Sequence, residues 1–396
     1  MDAGSEKRET GRDGQQGGEG PGSRFPVPDS WSVIGQEDAV GVLRRAVDDE
    51  SRLSHAYLFA GPEHTGKATA ARQFAQALNC EEQRPAPELP PGVKGQGSRV
   101  KGAFEVPCGT CRTCRLIAEG KHPDVEYIGV GGICDESEHK DHSADNSRDI
   151  RICQVRRIER IVSRTTFDAR YRVLIVDPAE ALNVAAANAF LKTLEEPAPH
   201  TVLVLIASRE EALPETVRSR CRRVSFGGVA RDVIERALQE RWSATPEQAQ
   251  QLARLAQGRL GWAVAALEDE KLLIERARTV DEIEALMSGG LSERFAYAAS
   301  LGARFPRDPG AVRATLELWR AWWRDVLLAA AGREELVADT ERLDTLRSLG
   351  AQWGVEGAVR ALAAVGNGRQ HLEEHANPTL ALEVMLLDVP LSARRS

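Results

Sequence analysis

Long apolar runs are missing from this 396-residue chain. A stretch such as residues 202–207 (VLVLIA) falls far short of the roughly 20 apolar residues that a membrane-spanning helix requires. Residues 1–22 are rich in Gly, Glu, Arg and Gln and contain no apolar core, so no secretory signal peptide is read there and a cytoplasmic location is expected. Residues 1–27 are expected to form a disordered tail. An excess of positive charge is missing too. The formal net charge of −7 argues against a protein that coats nucleic acid through its overall field, so any DNA contact should be local and shared with partners. Seven cysteines are an odd number in a long chain without a secretion signal, which argues against a disulfide framework and for reduced thiols, some of them metal-bound.

What is present is ordinary globular composition, 42% hydrophobic and 28% charged, in a chain long enough for two or three domains. Residues 39–48 read as a helix and 56–60 (AYLFA) as a short buried strand. A Gly-containing loop follows at 61–69 (GPEHTGKAT), then an alanine-rich helix at 70–79. Two inserts, 81–107 (Pro, Gly and charge) and 129–148 (Asp, Ser and His), read as mobile surface loops. Regular structure resumes with a helix at 151–163, a strand at 172–176, a helix at 185–194 and strands at 201–207 and 224–226. Alternation of this kind predicts a parallel sheet covered on both faces. From residue 230 onward the pattern is helical. The expected organisation is an α/β P-loop domain at 28–227, carrying a zinc module at about 80–114 and a loop insert at about 129–148. A small helical domain at 228–272 and a larger all-α domain at 273–396 complete it.

In a P-loop, backbone N–H groups close around phosphate, the lysine reaches the terminal phosphates, and a following hydroxyl binds Mg²⁺. Gly61, Gly66 and Lys67 fit that pattern, but Ala68 stands at the hydroxyl position, leaving Thr69 as a substitute. Asp177 ends the 172–176 strand where a metal-holding aspartate is expected. The next residue, which in an active ATPase orients the attacking water, is Pro178. Glu180 is acidic and near, but it reads as a solvated residue at a helix start. At the end of the parallel-sheet region, after Pro214 and before the strand at 224–226, Arg218 to Arg223 read RSRCRR, where an arginine such as Arg220 can reach a neighbouring subunit's nucleotide, the alternative being a plain basic surface turn. Cys108, Cys111 and Cys114 show C-x₂-C-x₂-C spacing, and Cys80 ends the helix after the P-loop. Four thiolates make a closed structural zinc site with no open position for substrate. Cys134, His139 and His142 also resemble ligands, but their acidic, Ser-rich surroundings favour a solvated loop. Trp319, Trp322, Trp323 and Leu387 lie in aromatic and aliphatic helical stripes that read as core.

Residues 55–67 (HAYLFAGPEHTGK), 70–80, the four cysteines, 185–197 (AAANAFLKTLEEP) and the Ser219-Arg220-Cys221 triplet occur together and in order. In this the chain resembles the bacterial DNA polymerase III clamp-loader subunits of the AAA+ class, from about residue 31 to the C-terminus. The resemblance implies that the small helical domain is a lid and the C-terminal domain a collar joining five subunits. It also implies partner gamma/tau and delta subunits, with a sliding clamp and primer-template DNA reached through the complex. Two kinds of chain compete within the family: the ATPase gamma/tau kind, and the delta-prime kind, which does not hydrolyse ATP. Ala68, Pro178 and the glycine in Gly258-Arg259-Leu260-Gly261, where a sensor arginine would stand, point to the second. On that reading ATP is bound at most without hydrolysis at Gly61, Gly66, Lys67, Thr69 and Asp177. Arg220 becomes a finger offered in trans, and the chain is expected to lack the long tau tail. An active ATPase using Thr69 and Glu180, and a zinc-dependent nucleic-acid-binding protein, are the competing readings.

Overall fold

The computed structural model describes residues 31–83, 106–136, 139–141, 149–163, 166–374 and 376–390. The tail expected at 1–27, and residues 84–105 of the first insert, lie outside the described residues.

The chain opens with helix α1 (Glu37–Asp48), whose Ala39, Val40, Leu43, Ala46 and Val47 recur at helical spacing and are all buried. Strand β1 (Ala56–Ala60) and helix α2 (Lys67–Asn79) follow, then α3 (Arg112–Ala118), β2 (Val125–Ile128), β3 (Ile133–Glu136), β4 (His139–Asp141) and α4 (Ile152–Val162). Next come β5 (Arg172–Val176), α5 (Val184–Glu195), β6 (Thr201–Ala207), α6 (Glu215–Arg218) and β7 (Arg222–Ser225). The main sheet has five strands in the order β2, β5, β6, β1, β7, every neighbouring pair parallel. All residues of β1, β5 and β6 are buried, which is why, after the leading Arg172 and Thr201, these strands read as near-continuous apolar runs.

Two cores flank the sheet. On one face Leu43, Phe74 and Ile117 from α1, α2 and α3 pack on Tyr57, Phe59, Val173 and Val204. On the other, Val155, Ile158, Phe190 and Val217 from α4, α5 and α6 pack on Leu58, Leu174, Leu203 and Leu205. The structure departs from the sequence reading at the second insert, where β3 and β4 pair antiparallel as a small hairpin rather than an irregular loop. The final strand is also shifted back by two residues relative to the expected 224–226.

Helices α7 (Arg231–Trp242), α8 (Pro246–Ala256) and α9 (Leu260–Glu268) share a small core around Ile234, Leu238, Leu252 and Ala263. Helices α10 (Lys271–Ser288), α11 (Leu291–Arg304), α12 (Pro309–Ala330), α13 (Leu343–Glu373) and α14 (Pro378–Asp388) enclose a larger one. Trp319, Trp322 and Trp323 are buried there, as their spacing predicts. Leu387 is not: α14 packs through Ala381, Leu382, Met385 and Leu386, so Leu380, Val384 and Leu387 share the opposite, exposed face. Arg294, 1% exposed, ties this unit together by donating to the carbonyls of Leu286, Leu386, Val389 and Pro390.

The most heavily used buried charge in the sheet unit is Asp124, just before β2. It accepts the backbone N–H groups of Phe167, Asp168 and Ala169 and the Arg172 guanidinium at 2.9 Å. Burial pushes this carboxyl up, but the three N–H donors and Arg172 outweigh it and hold it below its ordinary range. Asp124→Ala removes the carboxylate that pairs with Arg172 in the interior, a change that costs about 3–5 kcal/mol, and is expected to lower the denaturant midpoint accordingly. Because the folded-state value is depressed, the stabilisation is present above the unfolded carboxyl value of about 3.9 and is lost as pH falls through the folded one. The gap between wild type and variant should therefore narrow in acid unfolding below about pH 4.

Candidate nucleotide and metal sites

The loop between β1 and α2 is shaped by its neighbours as much as by any ligand. Gly61 has φ +149°, and a Cβ there would lie 2.0 Å from the Phe226 carbonyl oxygen, so only glycine lets β1 pass this close to the end of β7. Gly66, at φ +94°, caps the N-terminus of α2. Lys67 is buried, and its Nζ donates to the Gly61 carbonyl at 2.6 Å and also to that of Pro62. Burial pushes its ammonium below the ordinary lysine value, against the opposing pull of Glu180, Asp177 and Glu63. Ala68 is exposed and brings no hydroxyl. Together with the half-buried Thr69 it lines a cavity of about 270 Å³ shared with Arg72, Ile117 and Tyr127.

Asp177 stands at the end of β5 beside the loop, and its backbone N–H is bonded to the Ile128 carbonyl. Glu180 departs from the solvated position read from the sequence. The short turn at Ala179–Ala181 folds it back onto β6, where its Oε1 accepts the Ser208 N–H at 3.0 Å. Its Oε2 is buried with no hydrogen-bond partner, and its charge acts on Lys67. The carboxylate that a linear reading puts aside is thus in the site.

Helix α9 of the small helical unit meets the loop directly. The Gly261 N–H donates to the His64 carbonyl at 2.8 Å, and a Cβ on Gly261 would lie 3.1 Å from that oxygen. Arg259, two residues earlier, has its guanidinium 5.9 Å from the Trp262 ring centroid, and the charges of Glu317 and Glu63 act on it.

Arg220 lies between α6 and β7. It is half-exposed, with one guanidinium nitrogen donating to the Thr216 carbonyl at 2.8 Å and another 2.7 Å from Glu195 at the end of α5. The adjacent Cys221 packs against the sheet core, and its surroundings push the thiol up to about 12, so it carries no thiolate chemistry.

The four cysteines come together. The sulfurs of Cys80, Cys108, Cys111 and Cys114 all lie within 4.8 Å of one another, three of them on buried residues. Cys80 is at the C-terminus of α2, Cys111 caps α3 and Cys114 sits in its first turn. Backbone N–H groups of Cys111 and Cys114 point at the sulfurs of Cys108 and Cys111, each at 3.4 Å, a pattern suited to thiolate acceptors. Tetrahedral coordination at a metal–sulfur distance of about 2.3 Å spaces sulfurs by about 3.8 Å, so small adjustments bring this set onto a single ion. Donation from Cys114 pulls the Cys80 thiol down while Cys114 is pushed up, as expected when two close sulfurs share one negative charge. The residues fit a metal.

Cys134, read above as part of a solvated loop, is buried on β3, and its thiol meets that of Cys153 on α4. The His139 side chain and the whole of His142 lie outside the described residues. Sequence reasoning also missed Arg209, Arg313 and Glu373. Arg209 follows Ser208, and its guanidinium pairs with Glu373 of α13 at 3.2 Å. Arg313 on α12 is acted on by Arg209, Glu373, Glu63 and Glu180. These residues are up to 310 positions apart, and nothing local marks them.

The described helices include none long and apolar enough to cross a membrane. The family model for the DNA polymerase III delta subunit matches residues 35–230. DNA polymerase III subunit delta' of Bacillus subtilis is 25% identical over 360 residues, 90% of this chain and 98% of that protein. The delta' subunit of Pseudomonas aeruginosa is 37% identical over 168 residues, 42% of each chain. Subunit tau of Bacillus subtilis is 26% identical over 384 residues, 92% of this chain but 62% of its own length, so the chain spans less than two thirds of that relative. With a parallel five-stranded sheet, a loop holding Gly61, Gly66 and Lys67, and these relatives on either side of it, the chain belongs to the family of DNA polymerase III clamp-loader subunits.

Proposed function

We propose that this chain is a clamp-loader subunit of the delta-prime kind, cytoplasmic, which helps place a sliding clamp on primed DNA without hydrolysing ATP itself. The observation that carries the reading is the chemistry around Lys67. Ala68 supplies no metal-binding hydroxyl, Pro178 supplies no group to orient a water, and Gly261 presents backbone where a sensor side chain would act. Glu180 is the nearest replacement base. Its Oε1 is engaged by the Ser208 N–H, which holds it in a structural role. Gly61, Gly66, Lys67, Thr69 and Asp177 then form a degenerate nucleotide site that retains a phosphate cradle.

Arg220 is the residue with work to do elsewhere. It is a half-exposed guanidinium on a turn outside the sheet's own ligand edge, held by an exposed ion pair to Glu195 of the kind worth at most about 1 kcal/mol. Phosphate offered by an adjacent gamma/tau subunit would displace that carboxylate readily, making Arg220 the finger for a neighbour's ATP. The division into a P-loop domain (28–227), a lid (228–272) and a collar (273–396) fits the separate cores, and the collar would join gamma/tau and delta subunits in a hetero-pentamer. Contact with the clamp and primer-template DNA is made through that assembly. The four-cysteine cluster is assigned to structural zinc, which joins α2 to α3 and performs no chemistry.

Purified alone, the chain should hydrolyse ATP at the no-enzyme rate with or without primed DNA; Lys67-dependent turnover would reassign it to the active gamma/tau kind. Elemental analysis should find zinc, with one equivalent lost in Cys114→Ser. Chelation should lower the unfolding temperature of the wild type and leave that variant unchanged.

A further inference from the structure

Arg209, Arg313 and Glu373 surround the mouth of the Lys67 loop. Arg209 follows the C-terminal end of β6, between the strand that carries Asp177 and the strand that carries Gly61, the edge at which open α/β sheets hold their ligands. Its neighbour Ser208 is bonded to Glu180. The Arg209 guanidinium is paired at 3.2 Å with Glu373, which belongs to the last turn of α13, more than 160 residues away in the chain. Arg313 reaches in from α12, with its Nε buried and without a hydrogen-bond partner. The charges of Arg209, Glu373, Glu63 and Glu180 all act on it.

With Lys67, these groups make three cations against the four carboxylates Glu63, Asp177, Glu180 and Glu373, so the mouth carries no excess of positive charge as it stands. A nucleotide brings several further negative charges, and in a partly buried site like charges at short range cannot all remain. One carboxylate must leave. Glu180 is fixed by the Ser208 N–H, and Glu63 is part of the loop itself. Glu373 is a partly exposed side chain at a helix end, also 3.9 Å from Arg369, and it occupies the arginine that a terminal phosphate would seek.

We propose that Glu373 is an internal competitor for nucleotide phosphate at the Lys67 loop, holding Arg209 and offsetting the charge of Arg313 until phosphate displaces it. The contact joins the C-terminal helical unit to the nucleotide edge of the sheet, so phosphate binding and the seating of α13 oppose each other, and by linkage each weakens the other equally. This inference rests on the reading of the loop as a retained phosphate cradle.

The test is equilibrium binding of a fluorescent ATP analogue with Mg²⁺ to the full chain. Glu373→Gln keeps the side-chain shape and removes the charge, and should tighten binding by about 5- to 20-fold, the range expected of coupling between sites. Glu374→Gln, one residue away, should leave affinity unchanged, and Lys67→Ala should abolish binding in either background. Arg209→Ala in the Glu373→Gln background should give back most of the gain. Equal, Lys67-dependent affinity in wild type and Glu373→Gln would overturn the competitor and leave the cradle standing. No Lys67-dependent binding in either protein would overturn the cradle, and the competitor with it.

Discussion

The backbone contact between Gly261 and His64 is the constraint on which the nucleotide edge of this molecule depends. A 2.8 Å bond from the first turn of α9 to the tip of the loop seats the small helical unit directly on the sheet unit. A Cβ at Gly261 would lie 3.1 Å from the His64 carbonyl oxygen, so a side chain there would require the loop to give by a few tenths of an ångström. The same economy recurs at Gly61, where the loop's first glycine is demanded by the Phe226 carbonyl. The glycines that look like a phosphate-binding signature are therefore also packing requirements. They persist on structural grounds whether or not phosphate is ever bound.

The helix that starts at the phosphate cradle ends at the metal cluster. Lys67 opens α2 and Cys80 closes it, with Gln76 donating to the Cys114 carbonyl and Asn79 exchanging hydrogen bonds with the Tyr171 backbone. Coordination by four thiolates would fix the far end of α2 against α3, and a site with four protein ligands leaves no position for a substrate. Its consequence for function is positional: it holds the helix, and through it the loop.

Legibility from sequence followed burial. Strands β1, β5 and β6 could be bounded to the residue because every side chain in them is buried and all but the leading Arg172 and Thr201 are apolar. Strand β2 (VEYI) was overlooked because it lies at the sheet edge, with Glu126 and Tyr127 partly exposed between buried Val125 and Ile128. The β3–β4 hairpin was overlooked because its composition is that of a loop. The cysteine set was legible because metal ligation imposes short, fixed spacings, and the long gap after Cys80 does not keep its sulfur from the other three. Glu180 was misread because a single 3-10 turn redirects it, and the Arg209–Glu373 pair was invisible because it depends on how two separately folded units dock.

On the proposed function, the useful chemistry of this chain has moved from Lys67 to Arg220. The most direct measurement is ATP hydrolysis by a complex reconstituted with active gamma/tau subunits and this chain carrying Arg220→Ala or, separately, Lys67→Ala. The account predicts that Arg220→Ala leaves assembly intact and lowers turnover at the adjoining site, by as much as about 10³-fold for a finger in trans, while Lys67→Ala leaves turnover near wild type. Full activity with Arg220→Ala, or collapse of activity with Lys67→Ala in an intact complex, would contradict it.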